Sequence, residues 1–316
     1  MASDADPKAL GTEPAITLNR VVKRFGATAA VSELTLSVAP GTVYGLIGPN
    51  GAGKTTTFSL ICGYLRPDGG ELRVLGHPPG DVASLNGRVS ALPQDALLPA
   101  NDRVGEVMAF YAQLIGMSHP LATEASREAL ERVGMAQWLK VRCGALSHGM
   151  AKRVGLAQAF LGKPELVLLD EPTAGLDPKS AYQLREFIKE KRQGGYTIVI
   201  SSHNLQELEE LCDAAAILDH GRLVTAGSMQ ELTLSVGEVR FLLASEPPLE
   251  EIKAVPDTSA VSFDASRRVL TVVFSPERAQ AEEIIGRVLR VLLDRGVKIS
   301  AVTKGRRLEE RVMELV

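Results

Sequence analysis

A glycine-rich segment directly after a short apolar stretch constrains this chain more than any other feature. The apolar stretch, Thr42–Ile47 (TVYGLI), has the length and composition of a buried strand. The segment that follows, Gly48–Thr55 (GPNGAGKT), fits the pattern GxxxxGK(S/T), and a helical pattern runs from Lys54 to Gly63. In this setting glycines let successive backbone N–H groups turn inward, and the helix adds its positive end. The pattern predicts a phosphate-binding P-loop; a glycine-rich turn that binds nothing fits the flanking elements less well.

Two side chains of the P-loop are expected to make distinct contacts. Lys54 is placed to contact the β- and γ-phosphates of ATP, and the hydroxyl of Thr55 to hold Mg²⁺. The residues predicted to contact the nucleotide here are Gly48, Pro49, Asn50, Gly51, Ala52, Gly53, Lys54, Thr55 and Thr56. ATP and Mg²⁺ are therefore the expected ligands.

A second motif is an apolar strand that ends in two acids, Leu166–Glu171 (LVLLDE). An acid at the carboxyl end of a parallel strand lies at the ligand crevice of an α/β sheet. Asp170 is then suited to the Mg²⁺ shell, and Glu171 to the role of general base that polarises the attacking water. The alternative is an ordinary strand followed by a solvated acidic turn. Beside a P-loop, the motif favours ATP hydrolysis.

The periodicity of the chain predicts an α/β domain over residues 15–232, in which apolar strands alternate with helices around a sheet covered on both faces. Residues 100–160 are mostly helical and predict a helical subdomain. Residues 237–316 combine short strands with an amphipathic helix, which indicates a small α+β appendage. Residues 1–14 have no apolar run and are expected to form a flexible tail.

Composition excludes some classes of function. The chain has 316 residues with 45% hydrophobic and 23% charged residues, enough for about two domains. A net charge of −3 and an aromatic content of 4% argue against nucleic-acid binding. Cys62, Cys143 and Cys212 are far apart and are expected to be reduced thiols in a cytosolic protein. No stretch approaches the roughly 20 apolar residues of a membrane-spanning helix.

Five further segments occur in a fixed order around the P-loop. They are Phe25 in KRFG, Gln94 in ALPQD, Leu146–Met150 (LSHGM), Ala174–Pro178 (AGLDP) and His203 in SSHN. With them, the chain resembles the nucleotide-binding subunits of ATP-binding cassette (ABC) transporters over roughly residues 15–230. A single glutamine, histidine or phenylalanine of this kind is usually an ordinary surface or core residue, so the resemblance depends on their joint order.

The resemblance implies a role for each of these positions. Phe25 stacks on adenine, Gln94 meets Mg²⁺ and senses the membrane partner, and His203 contacts the γ-phosphate. Asp177 belongs to the family's D-loop and is expected to contact the nucleotide site. The expected catalytic residues are therefore Glu171, His203, Gln94 and Lys54, and the expected metal ligands are Thr55, Gln94 and Asp170.

Leu146–Met150, which we call the signature segment, departs from the family's usual LSGGQ. His148 replaces a glycine and Met150 replaces the glutamine. Ser147 and Gly149 remain, and a serine hydroxyl with backbone N–H groups at a helix start can bind phosphate. The resemblance implies that this segment contacts the ATP held by the opposite subunit. His148 adds bulk there, so slow turnover or selective pairing is expected, with hydrolysis retained through Glu171.

The resemblance also implies a fold and a set of partners. The expected fold is the P-loop NTPase ABC nucleotide-binding domain, a mixed sheet core plus helical subdomain, with the α+β appendage at the end. Two subunits, expected to be a homodimer, sandwich ATP and drive an integral membrane permease on a separate chain, at the cytoplasmic face of the inner membrane. Leu97, Leu98 and Val107–Ile115 resemble the face that grips the permease; packing within the helical subdomain is the other interpretation.

The appendage resembles that of bacterial ABC-2 type export systems, with a closing helix at Leu308–Leu315 (LEERVMEL). This points to export of a drug, lipid, polysaccharide or peptide, and to an appendage that steadies or regulates the dimer or merely caps the fold. Two alternatives stay open: a soluble ABC ATPase acting on ribosomes or DNA, and a binding module with a dead site. The single cassette disfavours the first and Glu171 the second.

Overall fold

The computed structural model describes residues 13–95, 97–234, 237–275, 279–305 and 308–315. The chain divides into two compact units between Ala226 and Gly227, a few residues before the predicted boundary. Most of the predicted flexible tail, residues 1–12, lies outside the described residues. Within the described residues, no helix is both long and apolar enough to span a membrane.

The first unit contains nine strands and seven helices among its described residues. The strands are β1 Ile16–Phe25, β2 Thr28–Val38, β3 Val43–Ile47, β4 Gly69–Val74, β5 Val89–Leu92, β6 Leu166–Asp170, β7 Thr197–Ser201, β8 Ala214–Asp219 and β9 Arg222–Ser228. The helices are α1 Lys54–Ile61, α2 Val82–Leu85, α3 Val104–Leu114, α4 His119–Arg132, α5 His148–Ala159, α6 Pro178–Gln193 and α7 Leu205–Leu211. Short 3-10 helices at Ala136–Trp138 and Cys143–Ala145 precede α5.

A six-stranded sheet in the order β5-β6-β7-β3-β8-β9 forms the centre of this unit. The pairs β5–β6, β6–β7, β7–β3 and β3–β8 are parallel. All residues of β3, β6 and β7 are buried, which explains their unbroken apolar sequences. The carboxyl ends of these three strands therefore meet at one edge of the sheet, where the P-loop and the paired acids begin.

A second, antiparallel sheet in the order β2-β1-β4 packs with the first around one core. Leu34 of β2, Leu46 of β3, Leu60 of α1 and Leu168 of β6 belong to the same buried cluster. Phe25 ends β1 at the surface, with 52% of its area exposed. The prediction of an α/β fold with a mixed sheet is confirmed, because the six-stranded sheet combines four parallel pairs with the hairpin β8–β9 at its edge.

The helical subdomain has its own core. Val104, Met108, Leu130, Met135 and Val154 are among the residues buried where α3, α4 and α5 meet. The apolar stripe of α3 is thus used for packing within the subdomain. The same segment also exposes apolar side chains, and the exposed fractions are 91% for Leu97, 56% for Phe110 and 56% for Leu114. Packing explains only part of the stripe.

The second unit is a four-stranded antiparallel sheet in the order β11-β12-β10-β13, with helices against one face. Its elements are α8 Met229–Leu234, β10 Gly237–Leu243, α9 Leu249–Lys253, β11 Thr258–Asp264, β12 Val269–Phe274, α10 Ala281–Asp294, β13 Ile299–Lys304 and α11 Leu308–Leu315. Phe241, Leu270, Val288 and Leu292 are fully buried in its core. The predicted α+β character of this region is therefore present in the structure.

Element boundaries differ from expectation where caps decide them. The predicted helix Ser180–Gln193 begins at Pro178, because Pro is pre-organised for a first helical turn and Asp177 caps it. The short helices α2, α8 and α9 were not predicted, since four to six residues are too few to show helical periodicity.

We expect Leu168→Ala to lower the free energy of unfolding by about 2–5 kcal/mol, because Leu168 is fully buried at the junction of the two sheets. Leu97→Ala removes the same atoms from an exposed side chain and should change stability by less than about 0.5 kcal/mol. Denaturant titration of both variants measures the difference. Equal losses would contradict the core assignment.

Candidate functional site

The P-loop joins β3 to α1 and depends on two glycines for its shape. Gly53 caps α1 with φ 98°, a left-handed conformation that favours glycine. A Cβ on Gly53 would lie 2.5 Å from the carbonyl oxygen of Ala30, and one on Gly48 would lie 2.4 Å from that of Leu218. Side chains at either position would push the loop off the neighbouring backbone, so the glycines hold it against the sheet.

Lys54 lies inside the P-loop, with 7% of its surface exposed. Its Nζ donates hydrogen bonds to the carbonyl oxygens of Gly48 at 2.7 Å and Pro49 at 3.1 Å. Burial lowers the pKa of Lys54, while the nearby charges of Glu171 and Asp170 act to raise it. The ammonium group is thus held by the loop, close to both acids that end β6.

A cavity of about 280 Å³ joins the predicted elements of the site. It is lined by Phe25, Ala30, Asn50, Gly51, Gly53, Lys54, Thr55, Thr56, Gln94, Asp170 and Glu171. The remaining predicted loop residues, Gly48, Pro49 and Ala52, complete the P-loop behind this lining. Ala30 was missed by the sequence predictions, because an alanine in an alternating strand carries no functional signal.

Ser201 at the end of β7 positions both acids. It lies opposite Asp170 in the register of β6 and β7, and its hydroxyl donates a hydrogen bond to Asp170 Oδ1. The backbone N–H of Glu171 donates to the hydroxyl of Ser201 at 3.0 Å and to its carbonyl at 3.1 Å. Ser201 is fully buried. It too was missed as a site residue, and its only sequence signal is its place as the first residue of the segment SSHN.

Glu171 has a left-handed backbone, with φ 48°. Such a conformation costs a non-glycine residue about 1–3 kcal/mol and often marks a functional site. Its carboxylate oxygen Oε2 lies 2.7 Å from Nδ1 of His203. The carboxylate is buried, with 9% of the side chain exposed, whereas the imidazole is 69% exposed. The sharp turn after β6 therefore brings together the predicted base and the predicted switch histidine.

Gln94 is connected to α5 through its backbone. Its side chain is exposed at the cavity, and its carbonyl oxygen accepts a hydrogen bond from Lys152 Nζ at 2.9 Å. Lys152 is 7% exposed. Burial lowers its pKa, while the negative charges of Asp170 and Asp95 act to raise it. The ammonium of Lys152 thus holds the loop of Gln94 next to the acids. Sequence patterns gave no reason to single out this lysine.

The signature segment and the D-loop residue lie outside the cavity formed by this chain. Ser147 caps α5 by accepting a hydrogen bond from the N–H of Met150 at 3.3 Å. Asp177 caps α6 by accepting from the N–H groups of Lys179 at 3.1 Å and Ser180 at 3.0 Å. Gly149, Ser147, Asp177 and His203 are absent from the residues that line the cavity.

His148, the unusual residue of the signature segment, is the first residue of α5 and is exposed. A Cβ on Gly175 would lie 3.1 Å from His148 Nε2, so the imidazole rests against the turn before Asp177. Gly149 approaches the same turn, since its added Cβ would lie 3.5 Å from Leu176. The start of α5 and the start of α6 are therefore in direct contact.

Comparison with known proteins agrees with this geometry. The family model described as ABC transporter matches residues 31–174, and a model described as an AAA domain matches residues 140–209. The linearmycin resistance ATP-binding protein LnrL of Bacillus subtilis is 34% identical over 69% of this chain and 70% of its own length. The Nod factor export ATP-binding protein I of Burkholderia lata is 35% identical over 69% of this chain and 72% of its own length.

One relative extends over both units. The daunorubicin resistance ATP-binding protein DrrA3 of Streptomyces coeruleorubidus is 32% identical over 92% of this chain and 92% of its own length. Among solved structures, an ATP-binding subunit of an ABC transporter superposes with a TM-score of 0.63 at 28% identity, over 69% of this chain and 91% of that one. The structure of cbiO1 from Clostridium perfringens superposes with a TM-score of 0.62 at 24% identity, over 70% of this chain and 90% of that one.

The relatives and the structural likeness are to ATP-binding subunits of ABC transporters. The chain belongs to the ABC transporter family as an ATP-binding subunit, and it is an ATPase.

Proposed function

We propose that this chain is the ATPase of an ABC-2 type export system, and that it binds ATP with Mg²⁺ in the cavity between the P-loop and the acids of β6. The observation that carries the proposal is the meeting of Lys54, Thr55, Gln94, Asp170 and Glu171 around one cavity. These residues provide a cation for phosphate, oxygen ligands for a divalent ion and a carboxylate base. No other cavity of the described residues combines these groups.

The residues present fit a Mg²⁺ ion. A hydroxyl from Thr55, a carboxylate from Asp170 and an amide oxygen from Gln94 are the hard oxygen ligands that Mg²⁺ prefers alongside phosphate. Ser201 orients the carboxylate of Asp170 by its hydrogen bond. When bound, the ion neutralises charge on the phosphates.

Hydrolysis requires a water in line with the γ-phosphate and a base to orient it. Glu171 is the proposed base, because it lines the cavity, and its position is fixed through its N–H by Ser201. Its bond to His203 at 2.7 Å holds the carboxylate toward the exposed imidazole. His203 is in turn proposed to reach the γ-phosphate, and Lys54 to hold the β- and γ-phosphates as the loop carbonyls release it.

The site is proposed to be completed by a second copy of the chain. Ser147, Gly149 and Asp177 lie outside the cavity of their own chain, on exposed helix starts. The N–H groups of such a start bind phosphate readily. A homodimer with twofold symmetry places the signature segment of each chain on the ATP of the other. Phe25, exposed at the rim, is proposed to stack on adenine.

The transport partner is proposed to be an integral membrane permease on a separate chain, which would hold this ATPase at the cytoplasmic face of the inner membrane. Leu97, Phe110 and Leu114 expose apolar surface near Gln94 in sequence and on α3. The names of the relatives concern linearmycin resistance, daunorubicin resistance and Nod factor export, which favours the proposed export of a drug, lipid, polysaccharide or peptide. A net charge of −3 gives no support to nucleic acid as a partner.

We expect Glu171→Gln to abolish ATP turnover, by at least about a hundredfold, while ATP affinity is kept, because the amide cannot act as a base. Phosphate release and equilibrium nucleotide binding measure the two effects separately. Glu246→Gln, an exposed change of the same kind in the second unit, should leave both unchanged. Turnover at the normal rate in Glu171→Gln would overturn the assignment of the base.

Mixing two inactive variants tests the shared site. Ser147→Phe disables the signature segment and Lys54→Met disables the P-loop, so neither homodimer has an intact site. In an equal mixture half of the dimers are mixed and each has one intact site, so activity should return to about a quarter of the wild-type value. A mixture as inactive as the separate variants would contradict completion of the site by a second subunit.

Copurification tests the membrane partner. From the native host, the tagged chain should retain an integral membrane protein in mild detergent. Leu97→Ser with Phe110→Ser should lose it while binding ATP normally, because both side chains are exposed and apolar. Leu293→Ser, which changes an equally exposed leucine of the second unit, should retain it. Retention in all variants would exclude this face as the contact.

A further inference from the structure

A second hollow lies beside α5 and is bounded by that helix, by the end of α4 and by α6. Its volume is about 340 Å³, and it shares no lining residue with the nucleotide cavity. We call it the α5–α6 cleft; its lining includes Arg132, Arg153, Leu184, Tyr182 and Phe187. None of these residues has a part in the ATP site described above.

Arg153 contributes a guanidinium group to the wall of this cleft. Its Nε is buried and has no hydrogen-bond partner, and the guanidinium forms no ion pair with a carboxylate of the described residues. Buried polar groups are nearly always bonded, and a guanidinium without a carboxylate calls for an anionic acceptor more strongly than a neutral donor does. The guanidinium of Arg153 therefore favours an oxyanion as the ligand of the cleft.

The other charges of the cleft do not supply that acceptor. Glu186 lies 3.0 Å from Lys189 Nζ, and Glu190 lies 3.2 Å from Lys191 Nζ, so each acid has its own lysine. Arg132, at the end of α4, forms no ion pair with any described residue. Two guanidinium groups thus remain without carboxylates on the wall of one hollow.

Apart from Gln183, the uncharged part of the lining is largely apolar. Leu156, Leu184 and Phe187 are 1%, 2% and 7% exposed and form the floor, while Tyr182 is 56% exposed at the side. An adjoining hollow of about 200 Å³ shares Arg132 and Phe187 and adds further apolar wall. A polar or highly charged ligand would leave this floor unused. The combination fits an anion attached to an apolar body.

Besides Arg132, the charged residues of the adjoining hollow are Glu128 and Lys163, which are exposed, and Lys191, which already has partners. Lys191 is 4% exposed, and its Nζ lies 4.7 Å from the ring centre of Phe187 and 5.9 Å from those of Phe160 and Tyr196. Cation–π contacts with three rings and the ion pair with Glu190 neutralise it. The recognition of an anion therefore falls to Arg153 and Arg132.

We propose that the α5–α6 cleft binds a small organic acid with an apolar ring or short hydrocarbon body. Its carboxylate or sulfonate accepts hydrogen bonds from Arg153 and Arg132, and its body packs on Phe187 and Leu184. The volume of the cleft equals that of roughly ten waters, which suits a body of one or two rings. The site is independent of ATP hydrolysis and of the permease.

Anilinonaphthalene sulfonate, a fluorescent aromatic anion, is a suitable probe, and phenylnaphthylamine is its uncharged counterpart. Titrations use the full chain with saturating ADP and Mg²⁺, so that the probe does not enter the nucleotide cavity. The sulfonate should bind saturably at one site. Arg153→Met and Arg132→Met should each raise its Kd by about tenfold or more, because each removes a charge-assisted hydrogen bond.

Controls separate charge, shape and folding. Arg142→Met removes an exposed arginine that lines neither hollow and should leave the Kd unchanged. The uncharged compound should bind wild type and arginine variants alike. Arg153→Lys keeps the charge without Nε and should weaken the sulfonate less than Arg153→Met. Thermal unfolding shows whether each variant is folded. If Arg153→Met is unfolded, the single variants Arg132→Met and Arg153→Lys provide the test of the proposal.

Two results would overturn the proposal. One is a Kd for the sulfonate that is the same in wild type, Arg132→Met and folded Arg153 variants. The other is the lack of saturable binding, with equal weak fluorescence from the charged and uncharged compounds. Either would show that Arg153 has no oxyanion partner in this cleft.

Discussion

The pairing of β6 with β7 is the constraint on which the active site depends. In this register Asp170 lies opposite Ser201, and the next residue, Glu171, turns away with a left-handed backbone. Ser201 then bonds to both: its hydroxyl donates to Asp170 and accepts from the N–H of Glu171. A shift of one residue would turn the acid of β6 to the other face and leave the P-loop without a partner for a divalent ion. Two adjacent acids are thus given different positions by one buried serine.

Strand order explains how distant motifs meet. β3 carries the P-loop, β6 carries the acids, and β7, which lies between them, carries Ser201 and leads to His203. All three strands are parallel, so their following loops emerge at one edge. Lys54 lies near both acids for this reason, and the same edge receives Gln94 through the bond from Lys152. A contact between α5 and the loop of Gln94 therefore joins the helical subdomain to the edge of the sheet where the two acids lie.

The residues that could be predicted from the sequence are those whose role follows from their neighbours along the chain. The P-loop follows one short apolar strand, Asp170 and Glu171 stand at the end of another, and ten of the seventeen predicted site residues line one cavity. Ser201, Lys152 and Ala30 could not be predicted, because their roles come from register and burial: an alanine carbonyl that touches Gly53, a lysine that bonds to a backbone oxygen, a serine opposite an acid. The observed start of α6 differs from the predicted start for a similar reason, because a helix cap depends on the direction of the backbone before the helix.

The signature segment is the basis of the proposal that a second chain completes the site. Ser147 and Asp177 already have local hydrogen-bond partners as caps, yet both are exposed, and neither lines the cavity. A cap fixes the direction of the helix start, which keeps its remaining N–H groups available for an anion from outside. His148 rests against Gly175, so the two helix starts are in contact and neither can shift without the other. Since glycine at position 148 would remove this contact, the histidine ties the signature segment to the D-loop, which gives a physical reason for the slow turnover or selective pairing expected from the sequence.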